Sequence, residues 1–319
     1  MTHSPPVPKL AGRRTRTLLL VSAGLGVTLS IGLRFVGADA FSRVLALAVL
    51  GVAPLALAVA PLARESRLVD LAAVAQPLCG AAAVVALSLP VSLEAGAWAA
   101  AWVSFAILVA LLGLGRVLAG GLRRLDTLAT GLALAYLPVG AGWLLLSRVG
   151  ARPLDFDPLI VALTGVHFHF AAVAAPILAV RAGLALEGRR RRLALGAALA
   201  AVAAQPIVAI GITSSPWLAL AGTALLAGAL LLVAGLTLGW VWRRPRRAVS
   251  RVLLLVSGAS LLLSMPLALA YAWGEATGHR LIGIQWMLRT HGYANAHGFV
   301  MCGLFAWALE DRYSSADST

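Results

Sequence analysis

Four of the chain's six histidines fall into two short phrases, Thr164-Gly165-Val166-His167-Phe168-His169-Phe170 and His291-Gly292-Tyr293-Ala294-Asn295-Ala296-His297-Gly298. An imidazole can take or give a proton near neutral pH, or offer a lone pair to a metal. Between the two phrases stand Tyr271 and Glu275, with His279 one turn further on. Two kinds of chemistry fit these residue types. In acid–base work, a desolvated Glu275 beside a histidine would protonate one atom of a substrate while the histidine deprotonates another. In metal binding, His167 or His169 would join His291, His297 and Glu275 around iron, copper or zinc. The metal pattern is the weaker one, since neither Cys-x-x-Cys nor His-Glu-x-x-His occurs. A third use is structural, each ring tying one helix to another. On a regular helix His167 and His169 point about 200° apart. Either one ring faces a site while the other braces a neighbouring helix, or the helix is distorted there. His291 and Asn295 share a face, and His297 lies with Tyr293 on another.

The elements that carry these residues follow from composition. Of 319 residues, 61% are hydrophobic and only 12% charged, with a mean hydropathy of +0.91. Soluble domains carry about 25% charged residues, so a soluble enzyme, a disordered chain and a disulfide scaffold are excluded. Cys79 and Cys302 both lie in apolar runs without metal spacing. The net charge of +14 comes from basic residues between apolar runs, which points to membrane orientation and away from nucleic acid.

A membrane-crossing helix needs about 20 apolar residues. The sequence predicts an all-α polytopic membrane protein with ten such spans, at roughly 17–36, 41–62, 68–92, 95–115, 128–147, 158–180, 193–213, 217–240, 250–273 and 290–309. Residues 1–16 and 310–319 are read as tails on the inner side, and 17–309 as one membrane domain. With the N-terminus inside, 20 of the 26 Lys and Arg fall on the inner side and 6 on the outer, which predicts both termini inside. Ala38-Asp39-Ala40 resembles a signal-peptide cleavage site, but the preceding apolar run exceeds the usual signal core of about 7–15 residues. It is read as the first span.

An internal repeat is expected. The third span carries Leu71-Ala-Ala-Val-Ala-Gln76-Pro77 and the seventh Leu199-Ala-Ala-Val-Ala-Ala-Gln205-Pro206. The two glutamines are 129 positions apart; Pro138 and Pro266, and His169 and His297, are each 128 apart. An offset of four spans preserves orientation, so spans three to six and seven to ten would be copies related about the membrane normal.

Polar groups inside spans are costly and therefore mark candidate sites. His167 lies about nine residues from the outer end of its span, roughly 14 Å deep. The expected catalytic set is His167, His169, Glu275 and His297. Thr164, Phe168, Tyr271, His291, Asn295, Gln205 and Gln76 are expected to contact substrate, and Tyr136 is a further neutral polar group at middle depth. A metal, if used, would draw on His167, His169, His291 and His297; the acid–base reading requires no cofactor. Trp98, Trp102, Trp143, Trp217, Trp240, Trp242 and Trp273 lie near span ends and are read as interfacial anchors. No Walker motif, dinucleotide fingerprint or Ser-His-Asp arrangement occurs.

The stretch Leu163-Thr164-Gly165-Val166-His167-Phe168-His169-Phe170-Ala171-Ala172, followed by His291-Gly292, Asn295-Ala296, Gly298-Phe299, Gly303-Leu304 and Trp307, resembles the YndJ-like family of bacterial multi-pass membrane proteins. The resemblance is carried by these two blocks. It implies a bacterial membrane location, the cytoplasmic membrane, and assigns no activity. The residues themselves favour an enzyme acting on a lipophilic small molecule by isomerisation, cyclisation, hydration or epoxide opening. A transporter of a small organic solute is the alternative, supported by the repeat and by Pro77, Pro138, Pro206 and Pro266 within spans.

Overall fold

The computed structural model describes residues 13–35, 40–62, 67–119 and 121–314, and these contain helices and no strand. The helices are α1 (Arg13–Phe35), α2 (Phe41–Val59), α3 (Arg67–Ser88), α4 (Leu93–Leu118), α5 (Leu125–Val149), α6 (Pro158–Leu184), α7 (Gly188–Ser214), α8 (Pro216–Gly239), α9 (Ala248–Thr277) and a broken α10 over 284–314. Among the described residues, α2 to α9 are long and apolar enough to cross a membrane, while α1 is apolar over the shorter Thr15–Ile31. The chain is an all-α polytopic membrane protein. Most of the tripeptide 38–40 lies outside the described residues, as does most of the expected N-terminal tail. At the other end, α10 continues through part of the expected tail to Ser314.

Side-chain contacts sort the helix ends into two groups. Arg16 at the start of α1 donates to Ala308 O at 2.9 Å, and Arg116 at the end of α4 donates to Pro61 O at 3.2 Å. The Arg189–Arg192 run begins α7 and Arg243–Arg247 follows α8, so this is the basic end. At the far end, Arg148 donates to Leu89 O at 3.1 Å.

Two helices are central. The apolar windows of α2 and α6 are 89% and 67% buried, against 39–50% for the other six qualifying helices. Helix α2 packs on α1, α3, α6 and α10, and α6 on α2, α5, α7, α8 and α10. In both, the backbone widens into a π-helical segment, Ala48–Val52 in α2 and Phe168–Ala174 in α6, and a proline follows two residues later, Pro54 and Pro176. In π register a carbonyl pairs with the N–H five residues on. For Val49 and Ala171 that residue is proline, which has no N–H. The orphaned carbonyls are met from the next helix: Gln76 Nε2 of α3 donates to Val49 O at 2.7 Å, and Gln205 Nε2 of α7 donates to Ala171 O at 3.3 Å. The same device thus recurs four helices apart with the same direction of chain.

Candidate functional site

His169, in the π segment of α6, is 1% exposed. Trp102 Nε1–H of α4 donates to its Nε2 at 3.0 Å, and its Nδ1 lies 2.7 Å from Gly165 O. An indole N–H can only donate and a carbonyl can only accept, so His169 is neutral with its proton on Nδ1. Neither nitrogen remains for proton transfer or for a metal. The seat is tight on the α5 side, where a Cβ on Gly140 would lie 2.7 Å from Nδ1. Trp102 itself is fully buried, so it is a core residue and not the interfacial anchor its place near a span end suggested. Helix α4 begins at Leu93, which sets the indole about 14 Å deep.

His167 is placed differently. It belongs to a central helix, yet its side chain is exposed and is not part of the close-packed core. Its Nε2 lies 3.2 Å from Gln205 Oε1. Gln205 Nε2 already donates to Ala171 O and Ala201 O, which fixes Oε1 as the acceptor and puts the proton of His167 on Nε2. Its Nδ1 lone pair has no hydrogen-bond partner among the described residues.

His291 stands in the opening turns of α10, which pack on α9. Its Nδ1 is 2.9 Å from Ser264 O of α9 and must donate there, which leaves Nε2 as a second lone pair. Ser264 Oγ donates to Asn295 Oδ1 at 3.2 Å, and Asn295 Nδ2 donates to His291 O at 2.9 Å. Asn295 therefore locks the opening turns of α10 to α9, and both ends of its amide are occupied. The site consists of two imidazoles, each held in one tautomer by a carbonyl oxygen, each presenting one unprotonated nitrogen. Thr164 is half-buried on the same far-end stretch of α6, with its hydroxyl donating to Ile160 O at 2.8 Å.

Other expected site residues lie elsewhere. Glu275 is not desolvated against a histidine: its side chain is 40% exposed and pairs with Arg280 at 3.3 Å. Helix α9 stops at Thr277, and Gly278 at φ 75° reverses the chain so that Arg280 returns over Glu275. His279 consequently leaves the stripe shared by Tyr271 and Glu275. His297 is exposed and stands edge-on to Tyr293, ring centroids 5.5 Å apart. Phe168 is buried against Tyr136, and Tyr136 donates to Val202 O at 3.1 Å. Gln76 is fully buried, with its amide divided between Val49 O and the hydroxyl of Ser22, 2.5 Å away. Among the described residues no three His, Cys, Asp or Glu side chains are grouped as metal ligands would be.

With this geometry in view, the family model described as YndJ-like protein matches residues 43–299, a stretch that begins in α2 and takes in His167, Gln205, Ser264, His291 and Asn295. The chain belongs to the YndJ-like family. It is 26% identical over 219 residues to a Bacillus subtilis (strain 168) protein named "Uncharacterized membrane protein YndJ". That alignment covers 68% of this chain and 39% of the relative, so the chain spans well under half the relative's length. No solved structure matches.

Within the YndJ-like chain, sequence reasoning missed Trp102, Ser264 and the two prolines behind the orphaned carbonyls. The proline–glutamine pairing could have been sought directly, since a buried glutamine in one span and a proline in the preceding span are complementary. Ser264 acts through its backbone oxygen, for which residue type carries no signal.

Proposed function

We propose that this member of the YndJ-like family is a membrane-embedded enzyme that moves a proton within a lipophilic small molecule. Ten crossings with both termini inside a bacterial cytoplasmic membrane would put the basic end inside and the far end outside. The observation that carries the reading is the pair of unprotonated nitrogens, His167 Nδ1 and His291 Nε2, on the contacting helices α6 and α10. His167 Nδ1 would take a proton from a C–H or O–H of the substrate. Its Nε2–H, held by Gln205 Oε1, stabilises the resulting imidazolium. The imidazolium exchanges its proton with solvent and then gives one back to a different atom of the substrate, so the count balances and no co-reactant is consumed. His291 Nε2 would accept a hydrogen bond from a substrate hydroxyl and orient it. Isomerisation and cyclisation fit this economy best.

Native mass spectrometry of the purified chain tests the binding half of the proposal. A lipophilic molecule should accompany the parent and be lost from His167→Ala and His291→Ala, but not from His279→Ala. An identical spectrum from all four would refute it.

Transport of a small organic solute is the second reading, favoured by one observation. Residues 172–183 in the basic-end half of α6 are buried, while its far-end half is partly accessible, as in a carrier open to one side. It requires a second conformer in which a cysteine at position 167 reacts with a reagent confined to the inner side.

A further inference from the structure

A groove of about 400 Å³ runs between α7 and α8, walled by apolar atoms and lined by neither His167 nor His291. Its floor is made of small residues, among them Gly196 on α7 and Gly228 on α8, and Leu193, Leu225 and Leu232 stand at its sides. Arg192 closes it at the basic end. From Arg192 to Ala200 the groove extends about 12 Å into the apolar zone. More cations stand at the same end of the two helices. The Arg190 guanidinium stacks on Trp240 at 4.3 Å and that of Arg243 on Trp242 at 5.2 Å. Among the described residues no carboxylate pairs with Arg190, Arg192 or Arg243. An apolar trough ending at membrane-surface depth in an arginine cluster has the charge and polarity profile of one amphiphile: an acyl chain below, a phosphate above.

We propose that the α7–α8 groove binds an anionic phospholipid, one acyl chain in the trough and the phosphate on Arg192 with Arg190 and Arg243 beside it. The aromatic faces of Trp240 and Trp242 hold two of the guanidinium groups in place while leaving their N–H edges to the phosphate.

The test uses the full chain in mixed micelles containing phosphatidylglycerol or phosphatidylcholine, read by native mass spectrometry. A Cβ at Gly196 or Gly228 meets nothing within 4 Å, so leucine at either position fills the groove without disturbing the helix pair. The parent should retain phosphatidylglycerol in preference to phosphatidylcholine. Arg192→Gln should reduce that preference about fivefold, the equivalent of one basic contact. Gly228→Leu should retain one lipid fewer while unfolding at the parent's temperature in lipid-free detergent. Equal retention of both lipids by the parent would overturn the proposal, as would unchanged retention by Gly228→Leu. A dimeric parent that becomes monomeric in Gly228→Leu would also overturn it, by assigning the groove to a second copy.

Discussion

His167 and His169 are two residues apart, yet their hydrogen bonds leave different things over. His169 spends both nitrogens on Trp102 and Gly165, whereas His167 spends one on Gln205 and keeps the other. Trp102→Phe removes the only donor to a buried ring nitrogen, and a stranded buried acceptor costs about 1–3 kcal/mol. His167→Ala also takes a donor away, from Gln205 Oε1, but its own position is exposed, so water can enter and replace the ring and the loss should be the smaller of the two. Denaturant unfolding of the two variants in detergent should therefore separate them, and equal losses would mean that His167 is also a brace. Helical geometry made this division of labour legible, since the two rings cannot face one way. The identity of the brace was not, because a tryptophan seven residues into an expected span looks interfacial until the start of α4 is known.

At the scale of elements, α2 and α6 are π-widened by prolines, and glutamines of the following helices repair the damage. Gln205→Leu should cost about 1–3 kcal/mol by orphaning Ala171 O. Adding Pro176→Ala restores an N–H five residues on, so the double variant should regain a substantial part of that loss. The pair Gln76→Leu and Pro54→Ala should behave alike in α2. Additive losses in the double variants, measured by the same unfolding assay, would show that the glutamines act by some route other than this carbonyl. The offset between Gln76 and Gln205 was visible, but their task was not. The proline that creates the need and the glutamine that meets it sit on different helices, beyond any local pattern. The same limit explains Glu275: whether a carboxyl near a span end is desolvated depended on the Gly278 turn that folds Arg280 back onto it.

Across the whole molecule, the basic end is closed by charge. Asp311 pairs with Arg181 at 2.6 Å and with Arg16 at 3.6 Å, all three side chains no more than 10% exposed, and Arg181 lies over Trp307 at 4.7 Å. This cluster ties the start of α1 and the ends of α6 and α10 together. Asp311→Asn removes the carboxylate between two buried guanidinium groups, a change worth about 3–5 kcal/mol. Thermal unfolding should register it as a large drop, while an exposed change such as Glu187→Gln should register none. The all-helical class and the two-sided distribution of arginine followed from composition and hydropathy alone. The closure did not, because Asp311 lies 295 positions from Arg16 and reads as part of a charged tail.

The central claim is that His167 and His291 move a proton within a substrate, and solvent hydrogen reports on it most directly. The purified chain would be incubated in D₂O with a lipophilic extract of bacterial membranes, and the extract analysed by mass spectrometry after back-exchange of labile positions. Stable deuterium should enter a discrete species with the parent and with His279→Gln, and should fail to enter with His167→Gln or His291→Gln. Absence of incorporation with the parent, or equal incorporation with all four proteins, would contradict the account.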